Sequence, residues 1–453
     1  MPHAGHETLI ALRYRGINEE RRMEEIRIGI LGVGTVGSGV YRLLEKNREL
    51  IEKKSNIRIM IKKVADKDTS KKTLLKIPDS IFSADAEEVV ADPDVDIVVE
   101  LIGGTTFAKE LMIKAIRNKK HVVTANKALF AEHGKQILRE AIDNRVEFGY
   151  EASVGGGIPI IKTIREALVG NRIERIIGIL NGTTNFILTK MTKEGINFEE
   201  ALKTAQRLGF AEADPFLDIS GGDARHKITI LSSLAFNTPV DMHKVYVEGI
   251  DGIERKEIQY SGEFGFVLKL LAIAERYGEG VLVKVHPALV SKENPLAGVS
   301  WEDNAIMVCS DFLGKSMYQG KGAGANATAS AVVADITDIA LRVKGSIEYN
   351  ANAYSYFEEH RQIPFEESRT RYYFRFNVLD RPGILSKIAG VLGNNNISIA
   401  SVIQKETEEV HEHVPLVMLT HISQESDVRR AIGKIDNFFE IEGKSKIIRV
   451  IDE

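Results

Sequence analysis

The chain has 453 residues, 43% of them hydrophobic and 27% charged, enough apolar material for about three cored domains. A net charge of -4 leaves no basic footprint for nucleic acid, and no apolar run approaches the roughly 20 residues of a membrane span. A single cysteine, Cys309, excludes an intrachain disulfide framework and is expected in a reducing cytoplasm.

Residues 1–22 are polar and lack the apolar core of a signal peptide, and His3 and His6 are too isolated for a metal site. They are expected to be a disordered arm or upstream sequence read from an early start. From residue 23 the pattern is that of a nucleotide-binding domain, expected over 23–155. Ile26–Leu31 is an apolar run of buried-strand type, followed at once by Gly32-Val33-Gly34-Thr35-Val36-Gly37. A helical pattern then runs to about Glu52, and a second strand, Ile57–Ala65, completes a βαβ unit. In that setting the glycines leave a pyrophosphate unobstructed and the helix N-terminus faces it, which points to a nicotinamide nucleotide. Asp66 would accept from the ribose hydroxyls of NAD, and the adjacent Lys67 would favour the phosphate of NADP. The choice between them stays open.

Further strands end in Gly103-Gly104, in Ala125-Asn126-Lys127 and in Glu151, with helical stretches between, as in a doubly wound sheet. Ligands bind beyond the carboxyl ends of such strands, where Lys127 and Glu151 stand. Glu151 opens the run Glu-Ala-Ser-Val-Gly-Gly-Gly-Ile-Pro. Its glycines either turn carbonyls inward around a hard monovalent cation or only permit a tight crossover between domains.

A mixed α+β domain is expected over 156–319. Its strand Arg175–Leu180 ends in Asn181-Gly182-Thr183-Thr184-Asn185, which can bind an anionic group such as an α-carboxylate or simply cap a helix. Gly209–Lys227 then packs Glu212, Asp214, Asp218, Asp223 and Lys227 into a turn-rich span broken by Pro215 and Gly221-Gly222. Asp223 is expected to cap the following helix, with Lys227 four residues on and on the same face. Lys227 heads the apolar stripe Leu231, Leu234 and Ala235, which sets its ammonium at the edge of the core. A lysine there has a lowered pKa unless a carboxylate restores it, the combination that acid/base catalysis uses; an ordinary i,i+4 ion pair fits the spacing equally well. Residues 320–344, with Gly320, Gly322 and Gly324 ahead of a helical run from about Ala329 to Val343, either return to the nucleotide domain or turn freely. Residues 345–371 read as a linker. From Tyr372 alternating residues mark a half-buried strand, and the elements that follow to residue 453 make a separate βαββαβ unit of ferredoxin-like order.

Four stretches, VVTANKAL at 122–129, EASVGGGIP at 151–159, GILNGTTNFIL at 178–188 and the span 209–227, resemble the homoserine dehydrogenase family with a C-terminal ACT domain. No aspartate kinase module precedes them, so the monofunctional form is expected. The resemblance implies reversible NAD(P)H-dependent reduction of L-aspartate 4-semialdehyde to L-homoserine, on the route to threonine, methionine and isoleucine. It implies Lys227 as proton donor, Asp223 as its carboxylate partner and Lys127 between cofactor and substrate. It also implies Glu212 on the substrate ammonium, Asp218 behind the lysines, and Gly182 and Thr183 in the substrate pocket. Cofactor contacts are expected at Gly32, Val33, Gly34, Thr35, Val36, Gly37, Asp66, Lys67, Gly103, Lys127 and Gly322. A sodium site is implied at the Glu151 carboxylate and the backbone oxygens of Val154, Gly156 and Ile158. The ACT domain implies pairing into a homodimer or homotetramer, and either a threonine feedback site or a purely dimerising role.

Three departures from the family pattern stand out: no proline in residues 105–108 or 326–328, and Asp66-Lys67 in place of an apolar-arginine pair. Arg225 and His226 beside Lys227 are expected to be solvated or packed. An acylating aldehyde dehydrogenase needs a thiolate nucleophile, and Cys309 lies in an apolar run that reads as core. A catalytically silent amino-acid sensor on the same scaffold is the remaining alternative.

Overall fold

The computed structural model describes residues 23–345, 359–404 and 413–451; the expected arm and residues 346–358 of the expected linker lie outside the described residues. Strands β1 (Glu24–Leu31), β2 (Ile57–Ala65), β3 (Phe82–Ser83), β4 (Ile97–Glu100), β5 (His121–Thr124) and β6 (Phe148–Gly149) form one sheet in the order β3-β2-β1-β4-β5-β6. Every pairing in it is parallel. Ile28, Ile30 and Leu31 of β1 and Ile97, Val98 and Val99 of β4 are fully buried, as strands covered on both faces require. The strand order reverses between β1 and β4, so the crevice of the sheet opens between their carboxyl ends. The helix after β1 is shorter than expected: Thr35–Lys46 ends at Asn47 and a second helix, Arg48–Ser55, begins.

Helix Ala325–Lys344 packs across Thr35–Lys46, and Gly39 permits the approach, since a Cβ there would fall 2.7 Å from the Ala325 carbonyl oxygen. Ala329, Val332 and Ile336 thereby join the core of Ile26, Ile28 and Ile30.

The second sheet has an antiparallel centre, β12-β11-β7-β9-β10, made of β7 (Ile173–Ile179), β9 (Phe266–Tyr277), β10 (Gly280–Ser291), β11 (Asp303–Ser310) and β12 (Gly314–Lys321). Helices Gly182–Glu194 and Gly222–Ala235 lie on it. β14 (Arg369–Leu379), β15 (Ile399–Gln404), β16 (His413–Thr420) and β18 (Lys446–Ile451) follow in the order β18-β14-β16-β15, all antiparallel. With helices Ile384–Asn394 and Glu425–Ile435 this is the ferredoxin-like βαββαβ arrangement.

The C-terminal unit has a core of its own, and its sheet continues the second one. β18 pairs in parallel with β10, Ala288 opposite Arg449 and Val290 opposite Ile451, so the two sheets are one. The same edge of β10 also takes β8 (Tyr246–Val247) at Lys284 and Val285, and β13 (Arg361–Gln362) at Gly280 and Val281. β14 is accordingly buried on both faces. Tyr373 and Arg375, expected on a solvent face, are covered, and the Arg375 guanidinium pairs with Glu257 (2.5 Å) and Glu254 (3.1 Å) at the start of helix Arg255–Glu263. β13 and the first residues of β14 fall inside the span expected to be linker.

Candidate active site

The glycine loop after β1 is shaped by close approaches. Gly32 has φ +88, and a Cβ on it would lie 2.8 Å from the Leu101 carbonyl oxygen; one on Gly37 would fall 2.0 Å from the Gly32 oxygen. Gly34 faces open space. Beside it lies a cleft lined by Gly32, Gly34, Asp66, Lys67, Lys71 and Phe107. Asp66 accepts the Val33 N–H (2.7 Å) and pairs with Lys71 (3.2 Å), while the Lys67 ammonium sits 5.5 Å from the Phe107 ring centre. A bare glycine at the mouth, free helix N–H groups and an acid at the end of β2 suit a dinucleotide.

A buried carboxylate organises the next loop. Glu100 accepts the N–H groups of Ile102 (2.9 Å) and Gly103 (3.1 Å) and the Thr124 hydroxyl (2.7 Å), and burial raises its pKa against these bonds. Asn126 donates to the Gly104 carbonyl (2.7 Å) while its oxygen caps helix Lys127–Asn144 at Leu129 (3.2 Å). That cap places Lys127 at the first helical position, facing the second domain.

There Lys127 meets Asp223, which is 2% exposed. Asp223 does not cap its helix as expected. Gly221, with φ +85, holds the cap position of Gly222–Ala235, and Asp223 lies one residue inside the first turn. Its carboxylate turns inward instead. One oxygen is paired with Lys127; the other accepts from Lys227 Nζ (2.7 Å) and Asn181 Nδ2 (2.9 Å). Burial alone would raise its pKa, but Lys227 and then Lys127 outweigh that and hold the carboxyl well below the usual range.

Lys227 is more deeply set than its stripe implied, at 6% exposed. It also donates to the Leu180 carbonyl (2.6 Å). An ammonium has three N–H groups, so one remains for an incoming oxygen. Burial lowers the pKa of Lys227 and neighbouring Lys127 lowers it further, while Asp223 pulls it back up.

The Asn181 amide also donates to Asp218 (2.7 Å), and its oxygen accepts the Thr184 N–H (2.8 Å), capping helix Gly182–Glu194. The Thr183 hydroxyl lies 2.6 Å from the Phe210 carbonyl and 3.1 Å from Asp218. Burial raises the pKa of Asp218, Asn181 lowers it, and the like charge of Asp223 raises it again. Gly182 packs on the Glu302 carbonyl, 2.6 Å from where a Cβ would stand, and Gly322 packs as closely on Asn304. Glu212 is exposed, and no side-chain partner is recorded for it among the described residues. His226 is buried, with burial lowering its pKa, and Arg225 is half-buried.

Glu151 is anchored by the helix that follows it. Both carboxylate oxygens accept backbone N–H groups at the start of the next helix, Ile161 and Lys162, each at 2.8 Å. Each oxygen accepts one of these N–H groups and keeps a second lone pair. Among the described residues no cluster of three or more His, Cys, Asp or Glu side chains could hold a metal ion. None of the described helices is long and apolar enough to cross a membrane.

Sequence reasoning gave no role to Glu100, Thr124 or Asn126, and for Asn181 it offered the helix cap but not the link to the acids. Asn126, like Asn181, stands two residues past a strand and opens a helix, a signal that could have marked it.

Comparison with known proteins gives family matches along most of the chain. Residues 32–151 match the family model "Homoserine dehydrogenase, NAD binding domain", residues 159–337 "Homoserine dehydrogenase", and residues 372–440 "ACT domain". A homoserine dehydrogenase of Neisseria gonorrhoeae is 43% identical, covering 94% of this chain and 99% of its own. The crystal structure of a homoserine dehydrogenase from Thiobacillus denitrificans superposes with a TM-score of 0.89 at 41% identity, over 95% of this chain and 99% of that one. A hyperthermophilic archaeal homoserine dehydrogenase in complex with NADPH aligns at a TM-score of 0.61 and 27% identity, over 70% of this chain and 98% of its own.

Proposed function

The chain belongs to the homoserine dehydrogenase family, and we propose that its Lys227–Asp223–Lys127 cluster carries the reduction of L-aspartate 4-semialdehyde to L-homoserine. Bound NAD(P)H supplies hydride to the carbonyl carbon. Negative charge then builds on the carbonyl oxygen, and the unengaged N–H of Lys227 stabilises that oxygen and protonates it. Asp223 favours the charged form of Lys227 against the pull of its burial. Lys127 sits between the glycine-loop domain and the substrate, steadied by the other oxygen of Asp223. Exposed Glu212 takes the α-ammonium of the substrate, and the helix start at Gly182 and Thr183 takes its α-carboxylate. Asp218 fixes Asn181 and Thr183 behind them.

The observation that carries this reading is one buried carboxylate shared by lysines from two domains. The experiment is NADPH oxidation with aspartate semialdehyde by Lys227→Ala. Turnover should fall by about 10²–10⁴ while NADPH still binds, and turnover like that of the parent would remove the assignment.

The division into domains at 23–155 with 320–344, 156–319 and 372–453 follows from the same reading. NAD and NADP both remain candidates, since Asp66, Lys67 and Lys71 stand together at the cleft. A sodium ion at 151–158 would rest on the Glu151 carboxylate and the backbone oxygens of Val154, Gly156 and Ile158. The ACT domain would bind an amino acid, with threonine as the effector, in a cytoplasmic homodimer or homotetramer. The silent-sensor alternative is set aside, because the relatives are named for catalysis and the lysine cluster is intact.

A further inference from the structure

One buried arginine ties the ACT unit to the turn that bears the active-site acids. Arg449, on β18, is 3% exposed. Its Nε and Nη2 donate to Glu425 (3.2 and 2.7 Å), its Nη1 pairs with Glu248, and its Nη2 lies 3.4 Å from the Tyr246 hydroxyl. That hydroxyl donates to Glu248 Oε2 (2.7 Å). The Tyr246 ring stacks on Phe365 at 3.6 Å with 5° between planes, and the Arg449 guanidinium lies 5.4 and 5.2 Å from the two ring centres.

From Glu248 the contact runs on to the catalytic turn. The Glu248 N–H donates to Val285 (2.9 Å) and the Ile250 N–H to the Ile219 carbonyl (2.8 Å). Gly249 lies so near the turn that a Cβ on it would fall 2.3 Å from the Ile219 oxygen. From the other side a Cβ on Gly221 would stand 3.0 Å from Val247 Cγ1. The turn held between them joins Asp218 to Asp223. The reduction itself makes no use of Tyr246, Glu248 or Arg449.

We propose that Glu248 is a positioning residue for the reduction, locked by Arg449, so that the ACT unit fixes where the turn delivers Asp218 and Asp223. The proposal rests on the reading of those acids as part of the active site. Without Arg449 the Glu248 carboxylate, on a side chain 35% exposed, keeps only the Tyr246 hydroxyl, and segment 246–250 keeps its backbone ties and the Tyr246–Phe365 stack.

The test uses the full chain with Glu248→Ala and Arg449→Met, singly and together. Each single change should raise the KM for aspartate semialdehyde about tenfold, with the Kd for NADPH unchanged and the double variant no worse than Arg449→Met alone. Glu248→Gln, which keeps the shape and the hydrogen bond, should recover most of the loss. Because Arg449→Met strands Glu425 and can unfold the ACT unit, amide exchange at Ser220–Gly222 is followed in Glu248→Ala, where it should quicken. A KM for Glu248→Ala within about twofold of the parent, or effects of the two changes that simply multiply, would overturn the proposal. Lys227→Ala run alongside separates the failures. If it is inactive and Glu248→Ala is silent, only the positioning role falls; if it is fully active, the reading of the site falls first.

Discussion

Lys127 reaches Asp223 from the nucleotide-binding side of the cleft and occupies the carboxylate oxygen that Lys227 leaves free. The two lysines belong to different helices, Lys127–Asn144 and Gly222–Ala235, which pack against one another. A single buried acid therefore holds both lysines, one from each side of the cleft.

Asp223→Asn tests this directly. Burial lowers the pKa of Lys227 and Asp223 is what raises it, so removing the acid should lower it further. In the reduction direction the charged amine is the donor, so the alkaline limb of kcat should move to lower pH. kcat itself should fall by about 100-fold or more. A limb at the parent's pH would contradict the role given to Asp223.

Glu212→Gln should act on binding. Its carboxylate is exposed, with no side-chain partner recorded among the described residues, so the substrate ammonium would be its ion-pair partner. A charge-assisted hydrogen bond of that kind is worth about tenfold or more in KM. kcat should change little, and an unchanged KM in steady-state kinetics would remove the contact.

Two glycines of the nucleotide loop should separate fold from binding. Gly34→Ala meets nothing within the protein, so its Tm should match the parent while NADPH titration shows weaker binding. Gly37→Ala drives a methyl to 2.0 Å from the Gly32 oxygen and should lower both Tm and affinity. Equal behaviour of the two variants would count against the loop's role.

Stability should fall as pH rises through the range set by two buried carboxyls. Burial raises Glu151 to about 7, against the Lys162 and Ile161 N–H groups, and raises Asp335 to about 6, against Lys162. Their ordinary values are 4.5 and 3.8, so between those values and 6–7 the folded chain binds more protons than the unfolded one. By linkage, stability is then lost as pH climbs across that window. Asp335 accepts the Glu151 N–H (2.8 Å), a bond that Asn can keep. Asp335→Asn should flatten the dependence of Tm on pH between 5 and 8; an unchanged slope in calorimetry would refute the assignment.

Much of this was legible in residue order. A glycine loop between strand and helix, lysine and glutamate at strand ends, and an acid four residues before a lysine are all local patterns. What stayed hidden was long-range. Nothing near Lys127 says that its partner is Asp223, and the amide of Asn181 is shared by two acids more than thirty residues away. The expected cap at Asp223 failed because Gly221 could take the left-handed position, leaving the carboxylate for the lysines. Arg375 looked solvated by alternation alone, since the acids that cover it, Glu254 and Glu257, arrive from the preceding domain.

The parallel seam between β10 and β18 also bears on biogenesis. A nascent chain completes β10 long before residues 446–451 emerge, and until then Ala288, Leu289 and Val290, all inaccessible in the native protein, line an uncapped edge. Such edges recruit other chains. Truncation ahead of Tyr372 would leave that edge of β10 uncovered in the finished chain.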